Sequence, residues 1–119
     1  MKRSLVLLCS VMLLVLNGCN SMEQRKVMLE KNAVVLDVRT PEEQKEGYLD
    51  GAILLPLAGL DSEIVNKVPA EDTPIYIYCR SGRRAGIAVE KLKALGYTDL
   101  HNLGGLKDAQ EKLALPIRR

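Results

Sequence analysis

The chain has 119 residues, 47% of them apolar, with 17 Lys and Arg against 15 Asp and Glu. That length holds one compact domain and leaves no room for a second, and the apolar share supports a real core and excludes wholesale disorder. The surplus positive charge is Lys2 and Arg3; beyond residue 18 the two signs balance, which excludes a nucleic-acid binder relying on a broad basic field.

Residues 1–18 read as a removable address. A basic start at Lys2-Arg3, an apolar run over 5–16 and a small residue, Gly18, before Cys19 form a secretory signal pattern. The run is too short for a membrane span, which takes about 20 apolar residues. Leu16-Asn17-Gly18-Cys19 resembles the lipobox of bacterial lipoproteins. The resemblance implies cleavage before Cys19, diacylglycerol on its sulfur and attachment to a membrane through that lipid; more than one acyl chain makes such attachment stable. Asn20 after the cysteine points to the outer membrane, with the domain facing the periplasm of a bacterial cell envelope. Cys9 would leave with the signal and Cys19 would be consumed by lipid. Cys79 then remains as the lone thiol of the mature chain, too few for a disulfide framework, and no CxxC pair suggests a metal site.

Residues 19–32 are expected to form the lipidated tether and a first helix from about residue 24, ended near Asn32 and packing on a domain that fills 33–119. The aromatic residues are four tyrosines, with no Phe or Trp, so the core must be aliphatic. Residues 33–38, apolar but for Asp37, predict a buried strand. Thr40-Pro41-Glu42-Glu43 predicts a helix start with a capping box between Thr40 and Glu43, and Gly47 stops it. A second apolar run follows over 52–57. Residues 60–68 carry helical spacing through Leu60, Ile64 and either Val65 or Lys67-Val68. The clearest strand is 75–78, leading straight into Cys79.

After the polar loop Arg80-Ser81-Gly82-Arg83, a helix is expected from about 84 to 95, with Ala85, Ala88 or Val89, Leu92 and Leu95 on one face and Gly96 at its end. A last strand over 100–103, the pair Gly104-Gly105 and a helix through about Leu113 complete the chain. Strands apolar on both faces that alternate with helices imply an α/β fold, a mostly parallel central sheet with helices on both faces.

In such a sheet, ligands bind beyond the carboxyl ends of the strands, where Cys79 falls. Loop N–H groups and a helix start surround it, and Arg80, Arg83 and Arg84 follow within five residues. Each effect favours the thiolate, the nucleophilic form. So polar a loop argues against Cys79 being an inert cysteine in an apolar pocket.

Leu36-Asp37-Val38-Arg39-Thr40-Pro41-Glu42-Glu43, Gly51-Ala52-Ile53, Cys79-Arg80-Ser81-Gly82-Arg83-Arg84 and Gly104-Gly105-Leu106-Lys107-Asp108 together resemble the single-domain rhodaneses over about residues 24 to 116. The resemblance implies a thiosulfate sulfurtransferase: sulfur passes from thiosulfate, or a similar donor, to cyanide or a thiol through a persulfide on Cys79. It implies substrate binding by Arg80, Ser81, Gly82, Arg83 and Arg84, with Arg84 at the loop's usual basic position. Asp37 and Arg39 would support the site by structural hydrogen bonding, and His101 would be structural. No metal or other cofactor is required. Gly47-Tyr48-Leu49 and Ala109 depart from the family's usual Gly-His-Ile and tryptophan, which leaves the shape of the rim open. Two other readings compete. One is a membrane-tethered persulfide carrier or sensor without turnover. The other is a phosphatase or arsenate reductase on the same fold, whose loop has one residue more between cysteine and arginine.

Overall fold

The computed structural model describes residues 29–119. In chain order it contains β1 (Val34–Asp37), α1 (Pro41–Glu46), β2 (Tyr48–Leu49), β3 (Ile53–Leu54), a 3-10 turn (Leu57–Gly59), α2 (Leu60–Lys67), β4 (Ile75–Cys79), α3 (Arg83–Ala94), β5 (Leu100–Gly105), α4 (Leu106–Leu113) and β6 (Ile117–Arg118). The main sheet has the order β3-β1-β4-β5 with every neighbouring pair parallel. A short antiparallel ribbon of β2 and β6 stands beside it.

Alternation along the strands divides the core into two layers. Ile75, Ile77 and Cys79 point to one face and pack with Leu36, Val38, Leu60, Ile64, Ala88 and Leu92, under α2 and α3. Tyr76 and Tyr78 point to the other and meet Val35, Leu49, Leu103, Ala109 and Leu113, under α4 and the ribbon. Both faces of the sheet are therefore covered, as the apolar strands imply. Each fully buried leucine or isoleucine in these layers contributes about 1.5–3 kcal/mol.

Local signals set most boundaries. The Thr40 hydroxyl accepts from the Glu43 N–H at 3.3 Å while the Thr40 N–H donates to the Glu43 carboxylate at 3.2 Å, closing the expected capping box at the start of α1. Gly47 ends α1 with φ of 149°, and a Cβ there would meet Ile117 Cγ2 at 2.9 Å. In α2 the buried face runs through Leu60, Ile64 and Val68, while Val65 is 56% exposed. Of the two spacings open at that point, the one through Val68 is realised.

Other expectations are corrected. The expected first helix falls mostly outside the described residues, and within them residues 30–33 form a turn, closed by the Ala33 N–H on the Glu30 carbonyl. The apolar run at 52–57 gives only the two residues of β3 before Pro56 and the 3-10 turn interrupt it. Leu95 lies one residue beyond the last of α3, as its C-cap, and is exposed, while the buried residue at this end of the helix is Tyr97. Neither β2 nor β6 has a strand signature; both are two residues long and exist by pairing with each other.

Candidate active site

Cys79 is the last residue of β4, at the carboxyl edge of the sheet, and Gly82 caps α3 in the left-handed region with φ of 97°. That turn, open mainly to glycine, folds the loop back so that the Gly82 N–H donates to Cys79 Sγ at 2.9 Å. The polarity of the loop does not expose the cysteine, contrary to expectation: Cys79 is 0% exposed and belongs to the aliphatic layer with Ala85. Strand alternation turns its side chain inward, and the loop closes over it. Arg80, Ser81 and Arg83 form an exposed rim above, where neither arginine has an ion-pair partner among the described residues.

Arg84 is placed differently. From the second residue of α3, its guanidinium donates twice to the Glu43 carboxylate, at 2.6 and 2.9 Å, joining α3 to α1. The same carboxylate serves the Thr40 cap, so one side chain fastens a helix start and orients a loop cation. Arg84's hydrogen bonds hold the Glu43 carboxyl down at about 2, and Glu43 in turn raises Arg84 above its ordinary value. Because the folded value of Glu43 lies below its unfolded one, the pair's stabilisation is complete above about pH 4.5 and is lost as the pH falls toward 2. The two side chains are 27% and 23% exposed, and solvent screening reduces the contribution to about 1 kcal/mol. Urea unfolding midpoints followed over that acid range should therefore fall more steeply for the wild type than for Glu43→Gln. Parallel acid limbs would show that the pair contributes nothing to stability.

Asp37 and Arg39 form the supporting layer. Arg39 donates to both Asp37 oxygens, through Nε at 3.1 and 3.2 Å and Nη2 at 2.8 Å, and to the Gly47 carbonyl at 2.5 Å. Burial works against the Arg39 charge, but Asp37's hydrogen bonds and charge outweigh it, so the guanidinium lies above its ordinary value. Gln44, which the sequence did not single out, donates from α1 to the Asp37 and Arg39 carbonyls at 3.2 and 3.1 Å. The Tyr78 hydroxyl accepts the Leu49 N–H at 3.0 Å on the far side. His101 stays out of the site; its Nε2 lies 2.6 Å from Asp99 and its ring stacks on Tyr76.

The floor is completed by β5. A register shift between Ile77 and Cys79 brings Gly105 opposite Cys79. Any Cβ at Gly105 would collide with the Arg80 carbonyl, and one at Gly82 would come 3.2 Å from Gly104 Cα. Those contacts give the late diglycine its purpose: it lets β5 pass directly beneath the loop. Two recesses open beside it. One of about 470 Å³ is lined by Glu43, Arg80, Gly105 and Lys107, and a smaller one of about 140 Å³ by Thr40, Pro56, Leu57 and Arg84. Among the described residues no group of three or more His, Cys, Asp or Glu could hold a metal.

The model of the rhodanese-like domain matches residues 21–112. The thiosulfate sulfurtransferase PspE of Escherichia coli K12 is 41% identical over 73 residues, covering 61% of this chain and 70% of that protein. A sulfurtransferase of Allochromatium vinosum is 34% identical over 97 residues, covering 82% and 88%. Among solved structures, a rhodanese with anions from E. coli superposes with a TM-score of 0.67 at 37% identity, over 73% of this chain and 98% of that one.

Proposed function

The chain belongs to the rhodanese-like sulfurtransferase family, and on that premise we propose that it moves sulfane sulfur from thiosulfate, or a similar donor, to a thiophilic acceptor through a persulfide on Cys79. The observation that carries this reading is the strand-end cysteine whose sulfur takes the Gly82 N–H at 2.9 Å beneath an exposed rim of Arg80, Ser81 and Arg83, with Arg84 held beside it by Glu43. The Cys79 thiolate attacks the outer sulfur of thiosulfate. The donor's S–S bond breaks, and sulfite leaves with the bonding pair. An acceptor, cyanide or a thiol, then attacks the outer sulfur of the persulfide, and Cys79 departs as thiolate. The Gly82 N–H stabilises negative charge on the Cys79 sulfur, and Arg84 adds positive charge nearby, an oxyanion-hole arrangement applied to a larger atom. Since Cys79 has no exposed surface, entry of a donor has to displace atoms of the rim.

Mass spectrometry after thiosulfate, beside an assay with an aryl phosphate, tests the proposal. One added sulfur on Cys79 and negligible phosphate hydrolysis support it. Robust phosphate hydrolysis with no added sulfur would replace it with a phosphatase. Added sulfur without turnover to cyanide or thiols would leave a carrier.

The same protein is proposed to be lipidated on Cys19, on the strength of Leu16-Asn17-Gly18-Cys19 following the apolar run. Full-length protein should then sediment with the outer membrane, and Cys19→Ala should release it or leave it unprocessed. Wild-type protein recovered wholly in the soluble periplasm would dispose of the anchor.

A further inference from the structure

Asn102 is the residue next to the loop that neither the sequence motifs nor the proposed chemistry uses. It lies on β5, where the strand passes the start of α3, and both ends of its side-chain amide are hydrogen-bonded. Its Nδ2 donates to the Gly82 carbonyl at 3.0 Å, and its Oδ1 accepts the Gly104 N–H at 2.9 Å. The carbonyl it holds also accepts the Gly86 N–H at 2.9 Å, the first helical bond of α3. Two donors therefore pin the Gly82–Arg83 peptide plane. Because that peptide is trans, the Arg83 N–H points the opposite way, away from β5.

Gly82 is also the residue whose own N–H donates to Cys79 Sγ. Its left-handed φ of 97° is a conformation that glycine readily leaves, since without Cβ it has many alternatives. Something outside the loop has to select this one. Gly104 lies against Gly82, its Cα 3.2 Å from where a Cβ would stand, and Asn102 supplies the directional bond. We propose that Asn102 is a positioning residue for sulfur transfer: by tying the Gly82 carbonyl to Gly104 it aims the Gly82 N–H at the sulfur of Cys79. This rests on the sulfurtransferase reading for its kinetic consequence but not for its geometry.

The test uses Asn102→Ala and Asn102→Asp. The aspartate keeps an acceptor for the Gly104 N–H but sets an oxygen against the Gly82 carbonyl, so it separates the two halves of the bridge. Two readouts are needed. The first is amide hydrogen exchange at Gly82 by NMR, expected to speed up by about tenfold or more in both variants while β4 amides keep their wild-type rates. The second is steady-state sulfur transfer. Asn102 acts through an N–H that stabilises charge on sulfur, so kcat should fall by about tenfold with the KM for thiosulfate within about twofold of wild type.

Asn102 is exposed, and the unfolding midpoint should stay close to that of the wild type. Unchanged Gly82 exchange would overturn the proposal, as would a kcat loss matching only a loss of folded protein. An Asn102→Asp protein with wild-type exchange would also overturn it, by showing that only the Gly104 bond counts. Should the wild type form no persulfide, the sulfur-transfer reading falls, and the exchange comparison still decides whether Asn102 aims the amide.

Discussion

Replacing Cys79 by serine is expected to lower the proposed sulfur transfer on the order of a thousandfold or more and to leave the fold in place. The loss is chemical: at neutral pH a serine hydroxyl is a poor nucleophile toward sulfur and cannot form a persulfide. Retention of the fold follows from the site. Serine is close to cysteine in size, and the Gly82 N–H that reaches Sγ at 2.9 Å can donate to a hydroxyl oxygen. The substituted group is therefore hydrogen-bonded even though the position is 0% exposed. An unsatisfied buried hydroxyl would cost about 1–3 kcal/mol, and this one should cost less. Turnover with thiosulfate and cyanide, the mass of the protein after thiosulfate and a urea midpoint together check the result. Sulfur still gained by Cys79→Ser would place the carrier on another thiol.

Removing the charge at the sixth loop position should have the next largest effect. In Arg84→Leu, kcat/KM for thiosulfate is expected to fall about ten- to hundredfold, the equivalent of the 1.5–3 kcal/mol carried by a charged hydrogen bond. Two consequences of the geometry act in the same direction. The cation beside the loop disappears, and Glu43, then held only by Thr40, carries an unneutralised charge toward an incoming dianion. Adding Glu43→Gln to Arg84→Leu removes that second burden and should restore part of the loss, so the two changes will not be additive. Steady-state kinetics on the two single variants and the double variant measure the coupling. Full activity in Arg84→Leu would mean that the guanidinium only braces α1.

The same pair shows where sequence reading ends. Glu43 is legible as the closing residue of a capping box, because Thr40 and Glu43 are three positions apart and the bond between them is local. Its grip on Arg84 spans 41 positions and has no local signature. Asp37 and Arg39 behave like the first case. Two residues apart on one strand end, they could be anticipated as structural partners, and their hydrogen bonds are made within that short segment. Asn102 behaves like the second, since its partner Gly82 is twenty positions away and becomes its neighbour only through the pairing of β4 with β5.

By itself the sequence determined what depends on short-range order. Continuous apolar runs marked the strands β1 and β4, helical spacing marked α2 and α3, and turn chemistry marked Gly47 and the Cys79 loop at the sheet's carboxyl edge. From these came the mostly parallel sheet covered on both faces and the place of Cys79 at its carboxyl edge. The tertiary structure decided what depends on register and closure. A shift of register between Ile77 and Cys79 slides Gly104-Gly105 beneath the loop, and β2 and β6, each only two residues long, exist because they find one another. Strand alternation and loop closure bury Cys79, where the polarity of its neighbours in sequence suggested otherwise. Propensity and capping act over a few residues and are written in the order of the chain. A contact between distant segments also depends on how the intervening elements pack, and only the folded chain brings its two halves together.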